Sequence, residues 1–224
     1  MNIKNKIKVL NLYAGIGGNR KLWENVEVTA IEINPQIAKI YQDFFPDDKV
    51  IITDAHQYLL KHYKEFDFIW SSPPCTTHSQ LGRLRVLSNS KRTGTYLSEA
   101  KYPDMKLYEE ILLLKYYFNG KFCVENVIAF YEPLIQPIKI QRHWFWTNFF
   151  VSIRKFKSDK IDKGKVNEWE KELDFKLFIY SNIDKRLILR NCVRPEIGYH
   201  IFNCAYPDSQ KPLKDYYKQE QLIK

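Results

Sequence analysis

The sequence predicts an α/β fold: a Rossmann-like, largely parallel sheet with helices on both faces and a small insert. Three observations carry that prediction. Short apolar, β-branched runs alternate with helical patterns through the first half of the chain. A glycine turn, Tyr13-Ala-Gly-Ile-Gly-Gly18, follows directly on the first run. Residues able to do chemistry fall just past these runs, at the carboxyl ends of strands, where parallel sheets bind their ligands.

The elements read as follows. Lys8-Val-Leu-Asn-Leu-Tyr13 is a first strand and Glu27-Val-Thr-Ala-Ile31 a second. Asn34-Pro35 opens a helix, with Asn as cap and Pro at its first position. Val50 to Thr53 and Phe66 to Trp70 are strands three and four, with a helix between them from about Ala55. The pattern breaks from Thr76 to Lys101, where Arg83, Arg85, Lys91, Arg92 and Lys101 are opposed only by Glu99. A loop of that length inside a compact domain is usually functional or disordered. Asp104 caps a helix from Met105 to Phe118 that Gly120 ends; Phe122-Cys-Val-Glu125 is a fifth strand, and Trp144-Phe-Trp-Thr147 begins a sixth. Residues 152–186 are lysine-rich and weakly periodic, which reads as an insert. Residues 1–151, completed by 187–224, form the catalytic and cofactor-binding domain.

Composition narrows the classes. At 224 residues and 45% hydrophobic, one folded domain is expected and global disorder is not. The net charge of +9 favours a polyanionic partner. Cys75, Cys123, Cys192 and Cys204 form no C-x-x-C pair, which speaks against zinc and against a disulfide framework. No signal-peptide pattern and no membrane-length apolar run is present, so a cytoplasmic location is expected.

In the glycine turn, Arg20 stands where the dinucleotide fingerprint needs a third glycine, which disfavours NAD. Glu32 is placed to accept hydrogen bonds from a ribose, and Asp54 to reach an adenine edge. Cys75 follows strand four on Pro73-Pro74, two residues with fixed φ and no N–H, so its backbone position is largely set. Nearby helix ends and the basic loop are expected to lower the thiol pKa. Val124-Glu-Asn-Val127 ends strand five and brings a carboxyl beside that thiol. A thiol and a glutamate in one pocket suit conjugate addition to a nitrogen heterocycle. His78 reads as incidental.

The order YAGIGG, IEIN, SSPPC, VENV and RNCV resembles the DNA cytosine-5 methyltransferases, over roughly residues 7 to 150 and 187 to 204. The resemblance implies the sheet of the S-adenosylmethionine-dependent methyltransferases. It implies S-adenosyl-L-methionine held by Tyr13, Gly15, Gly17, Glu32, Ile33, Asp54, Pro73 and Asn191. It also implies attack of Cys75 on cytosine C6, with Glu125 holding N3 and Arg142 supporting the base site. The base must then be flipped out of its helix. Ser79 matches a family serine, and with Arg83, Arg85, Lys91 and Arg92 it is expected to contact nucleic acid. Two departures stand out: the family's Gln-x-Arg-x-Arg appears as Ile140-Gln-Arg-His-Trp-Phe-Trp146, with Trp144 where the second arginine is expected. Thr76-Thr-His78 also differs from the usual residues after the cysteine.

The expected partner is double-stranded DNA, in a setting such as restriction-modification. The small insert suggests that a specificity partner or second subunit supplies the rest of the target reading. Alternatives are a tRNA cytosine-5 methyltransferase and a non-catalytic DNA-binding relative.

Overall fold

The computed structural model describes residues 6–80, 102–156 and 165–210. Seven strands form one sheet: β1 (Ile7–Leu12), β2 (Val26–Ile31), β3 (Lys49–Ile51), β4 (Phe68–Ser71), β5 (Lys121–Val127), β6 (Ile138–Ile140) and β7 (His143–Thr147). Their order is β3-β2-β1-β4-β5-β7-β6. The first five are parallel, so the carboxyl ends of β1, β2, β3, β4 and β5 share one edge. β6 and β7 run antiparallel and close the sheet as a hairpin, where sequence reading placed a single sixth strand.

The helices are α1 (Pro35–Phe44), α2 (Ala55–His62), α3 (Lys106–Tyr117), α4 (Val166–Leu173), α5 (Lys185–Arg190) and α6 (Pro195–Ala205). Local chemistry sets their starts. Asn34 Oδ1 accepts from the Gln36 and Ile37 amides at 2.9 and 3.3 Å, with Pro35 in the first turn. Asp54 Oδ1 accepts from the Gln57 amide at 2.8 Å, and Asp104 Oδ1 from that of Lys106 at 3.1 Å.

Alternating strand residues split the core in two. One face buries Val9, Phe68, Trp70, Cys123 and Phe145 beneath Ile197, Ile201 and Phe202 of α6. The other buries Leu10, Leu12, Ile69, Phe122 and Val124 beneath Leu59 of α2 and Leu107, Ile111 and Leu114 of α3. A third cluster ties the insert to the sheet domain. Trp169, Leu173, Phe175 and Leu177 are buried with Ile16, Ile40 and Leu189, so the described part of that segment is built into the fold.

The glycine turn is fastened to the C-terminal segment. A Cβ on Gly18 would overlap the Cys192 Sγ and the Val193 carbonyl, and one on Gly198 would overlap the backbone of Asn19. Trp23 donates from Nε1 to the Gly198 carbonyl at 3.1 Å and stacks on Phe202 with centroids 4.9 Å apart. Gly18→Ala is therefore expected to destabilise by about 1–3 kcal/mol, because a backbone carbonyl cannot swing aside as a side chain can. A urea midpoint unchanged from the parent protein would count against this packing.

Candidate active site

Cys75 lies past the end of β4, and its carbonyl accepts from the amides of His78 and Ser79 at 3.1 and 2.9 Å, closing a turn beneath it. Buried Asn126 of β5 donates from Nδ2 to the Pro73 carbonyl at 3.0 Å, so the Pro-Pro mount is pinned to the neighbouring strand. Burial pushes the Cys75 thiol up, with the Glu125 charge adding to it, while Arg190 and Arg142 pull the other way. The expected lowering is thus reversed: among the described residues, desolvation and the carboxylate outweigh two guanidinium groups.

Glu125 ends β5, and its Oε1 lies 2.5 Å from Nδ1 of His143 on β7, with both residues buried. Neither His143 nor Arg190 was anticipated from sequence. Arg142 donates to the Arg190 carbonyl at 3.2 Å, tying the β6–β7 hairpin to the end of α5.

The expected cofactor side lies along the carboxyl ends of β1, β2 and β3. Glu32 is buried, and its two oxygens accept from the amides of Gly15 and Asn34 at 3.0 and 2.9 Å. Each oxygen keeps a second lone pair for a ribose hydroxyl. Gly15 has φ +55° and open space where a Cβ would stand, which suits close approach of a ligand to the backbone. Gly17 has a different reason: at φ +83°, a Cβ would strike the rings of Phe45 and Tyr41, so it serves packing. Ile33 and Ile52 are 67% and 55% exposed at the ends of β2 and β3, an apolar pair beside Asp54 that could flank a flat ring. Asp54 uses one oxygen as the α2 cap and keeps the other.

Tyr13 belongs to a hub that sequence reading missed. Glu110 on α3 is fully buried, accepting from Tyr13 Oη at 2.7 Å and Ser71 Oγ at 2.5 Å and lying 3.0 Å from His56 Nδ1. Burial, then the Glu110 charge, raises the Tyr13 pKa; the Glu110 hydrogen bond raises that of His56. The hub joins the end of β1, where cofactor is expected, to the end of β4, which carries the thiol. Its signal was readable: Glu110 follows Leu107 by three residues on the same buried helix face.

Other predicted residues separate. Asn191 is exposed at the end of α5, its amide bonded to the Leu187 carbonyl at 3.0 Å. Its neighbours Cys192 and Val193 provide the contact with the glycine turn. Trp144 packs on the α3 face of the sheet, away from Glu125. Ser79 pairs with Ala129 in an isolated antiparallel bridge. Arg83, Arg85, Lys91 and Arg92 lie outside the described residues. A cleft of about 840 Å³, lined by Ile7, Lys8, Asp67 and Lys121 among others, opens at the amino ends of the strands, opposite the thiol. Among the described residues, no helix is long and apolar enough to cross a membrane.

Parts of the chain are similar to known proteins. Residues 7–100 match the family model of the C-5 cytosine-specific DNA methylases. A human tRNA (cytosine(38)-C(5))-methyltransferase is 31% identical over 98 residues, covering 41% of this chain and 25% of that protein. The enzyme of the same name from Spodoptera frugiperda is 30% identical over 97 residues, 40% of this chain and 29% of that one. The chain thus matches about a quarter of the length of these relatives. A solved SAM-dependent methyltransferase from Agrobacterium tumefaciens aligns at 13% identity and TM-score 0.38, over 57% of this chain and 41% of that one. Residues 7–100 are thus similar to the C-5 cytosine-specific DNA methylases, and S-adenosyl-L-methionine is the cofactor that this match supports.

Proposed function

We propose that this protein methylates C5 of cytosine in double-stranded DNA, through a transient bond between the Cys75 sulfur and C6 of a flipped-out base. The observation that carries this reading is the meeting of Cys75, Glu125, Arg142 and Arg190 at one strand edge. When bound, S-adenosyl-L-methionine supplies an electrophilic methyl group. C5 of free cytosine is a poor nucleophile, and sulfur addition at C6 breaks the aromaticity that makes it so. Glu125 holds N3 and the exocyclic amine, stabilising the ring as it gains electron density. Burial, with the Glu125 charge adding to it, raises the thiol pKa in the protein without substrate. The net charge of +9 supports a phosphate-rich substrate. Much of the insert is spent on packing, which supports a short target or a second subunit that reads the remainder.

tRNA is the second reading, favoured by the names of the two curated relatives. Duplex DNA and total tRNA offered in parallel with radiolabelled S-adenosyl-L-methionine separate the two. Label in DNA is expected; label in tRNA alone moves the reading to RNA, and label in neither, with folded protein that binds cofactor, sinks both.

The two carboxylates are given separate tasks. Glu32→Ala should weaken cofactor binding at least tenfold, since hydrogen bonds to a charged group contribute roughly 1.5–3 kcal/mol each. Glu125→Gln should leave that affinity nearly intact and slow single-turnover methyl transfer by ~10²-fold or more. Titration calorimetry beside single-turnover kinetics tests the division. Equal losses of cofactor affinity in both variants would contradict it.

A further inference from the structure

β5 and β7 run antiparallel with Glu125 opposite Phe145 and Val127 opposite His143. Glu125 and His143 are therefore diagonal neighbours on one sheet face, within reach of long side chains. His143 Nδ1 lies 2.5 Å from Glu125 Oε1, and the residues are only 5% and 6% exposed. The Glu125 charge acts on the thiols of Cys75 and Cys123, and Arg142 at the start of the hairpin and Arg190 at the end of α5 act on Cys75 in turn. Both arginines stay charged at any working pH. His143 is different, because an imidazole can change charge near neutrality.

We propose that Glu125 and His143 hold one exchangeable proton between them and deliver it to cytosine N3, so that His143 acts on the reaction through Glu125. This rests on the cytosine-methylating function proposed above. As the sulfur–C6 bond forms, the thiol proton goes to water and the shared proton passes to N3. After C5 gains its methyl group, the C5 proton leaves to water, its bonding pair forms the C5–C6 double bond, and the C6–S pair returns to sulfur, which takes back a proton from water. The N3 proton then returns to the pair. A permanently charged side chain at position 143 would anchor Glu125 equally well but could not share a proton with it. The consequence is a limb in the pH–rate profile that belongs to position 143.

Two independent measurements test the pair. In ¹⁵N-labelled protein, the proton on His143 Nδ1 should give a far-downfield signal, as a proton held in a short hydrogen bond does, and Glu125→Gln should abolish it or move it upfield. Single-turnover rates should fall with rising pH in the parent, and this limb should vanish in both His143→Arg and His143→Gln. The glutamine variant should also be at least tenfold slower at low pH. Circular dichroism checks that each variant folds, and the arginine variant, which keeps a cation beside Glu125, serves if glutamine does not. A ring signal alike in parent and Glu125→Gln, or a limb that persists in His143→Arg, overturns the shared proton. The downfield signal and its loss, with no methyl transfer to DNA or tRNA by the parent, instead overturn the functional reading, and with it the proton's destination.

Discussion

Cys75→Ser is expected to abolish methyl transfer while leaving S-adenosyl-L-methionine affinity within a few-fold. The thiol stands past β4, whereas Gly15, Glu32 and Asp54 sit at the ends of β1, β2 and β3, so the change leaves the cofactor side untouched. A serine hydroxyl at that position fits the site, and it fails for a chemical reason. Burial and the Glu125 charge already hold the far more acidic thiol in its neutral form, and an alkoxide beside Glu125 would be far harder to form. The parent protein should form a denaturation-resistant adduct with DNA containing 5-fluorocytosine, whose fluorine blocks the last elimination, and Cys75→Ser should form none. Residual transfer by the serine protein, or no adduct from a parent of verified activity, would remove Cys75 from its role as nucleophile.

Glu110→Ala should be the most destabilising single change in the described core. It strands Tyr13 Oη, Ser71 Oγ and His56 Nδ1, each within 3.0 Å of a carboxylate that is fully buried. An orphaned buried polar group costs roughly 1–3 kcal/mol. These losses do not simply add, because the three share one partner. A total of about 3–5 kcal/mol, typical of a broken buried charge network, is a large part of the ~5–15 kcal/mol that holds a domain together. Glu110→Gln should cost less, since an amide still accepts one of the hydroxyl bonds. The pH dependence has a definite sign. His56 has a folded pKa raised chiefly by its hydrogen bond to Glu110, so its contribution is fully present below the unfolded imidazole value of about 6.5. It is lost as pH rises through the raised folded value. The stability gap between parent and Glu110→Gln should therefore widen as pH falls from 8 to 6. A constant gap in urea melts across that range would show that His56 does not draw on this carboxylate.

The parallel half of the sheet was legible in sequence because β-branched runs, a glycine turn and the Asn34-Pro35 cap each act over a few residues. Strand direction at the far edge was not. The apolar pattern of His143-Trp-Phe-Trp-Thr147 is the same whichever way the strand runs, and the three residues of β6 are too few for a period to show. The site followed the same division. Cys75 and Glu125 stand at the ends of β4 and β5, paired strands that sequence reading had located, and the Glu125 charge acts on the thiol. His143 escaped because only the antiparallel register turns it toward Glu125. Matching arginines to a motif drew notice to Trp144, which packs on the opposite face. In the insert, Val166, Trp169 and Leu173 recur at helical spacing, but the surrounding lysines obscured the stripe.

The seam between the glycine turn and the C-terminal helix has a consequence for how the chain is made. Trp23 and Gly198, joined by one hydrogen bond, are 175 residues apart, and Gly18 and Asn19 touch segments almost as distant. A ribosome therefore finishes the ligand-binding turn long before it delivers the wall on which that turn rests. A nascent chain carrying only residues 7–100 holds the most recognisable motifs yet lacks β5, β7 and α6. It cannot draw on cofactor binding to drive its own folding. Contacts this remote are slow to form, because the closure entropy of the intervening chain is lost before they reward it. Folding of this sheet should accordingly await the emergence of α6 and then proceed in one late, cooperative step. The exposed apolar faces of β1 and β4 remain hazards for aggregation until α6 emerges.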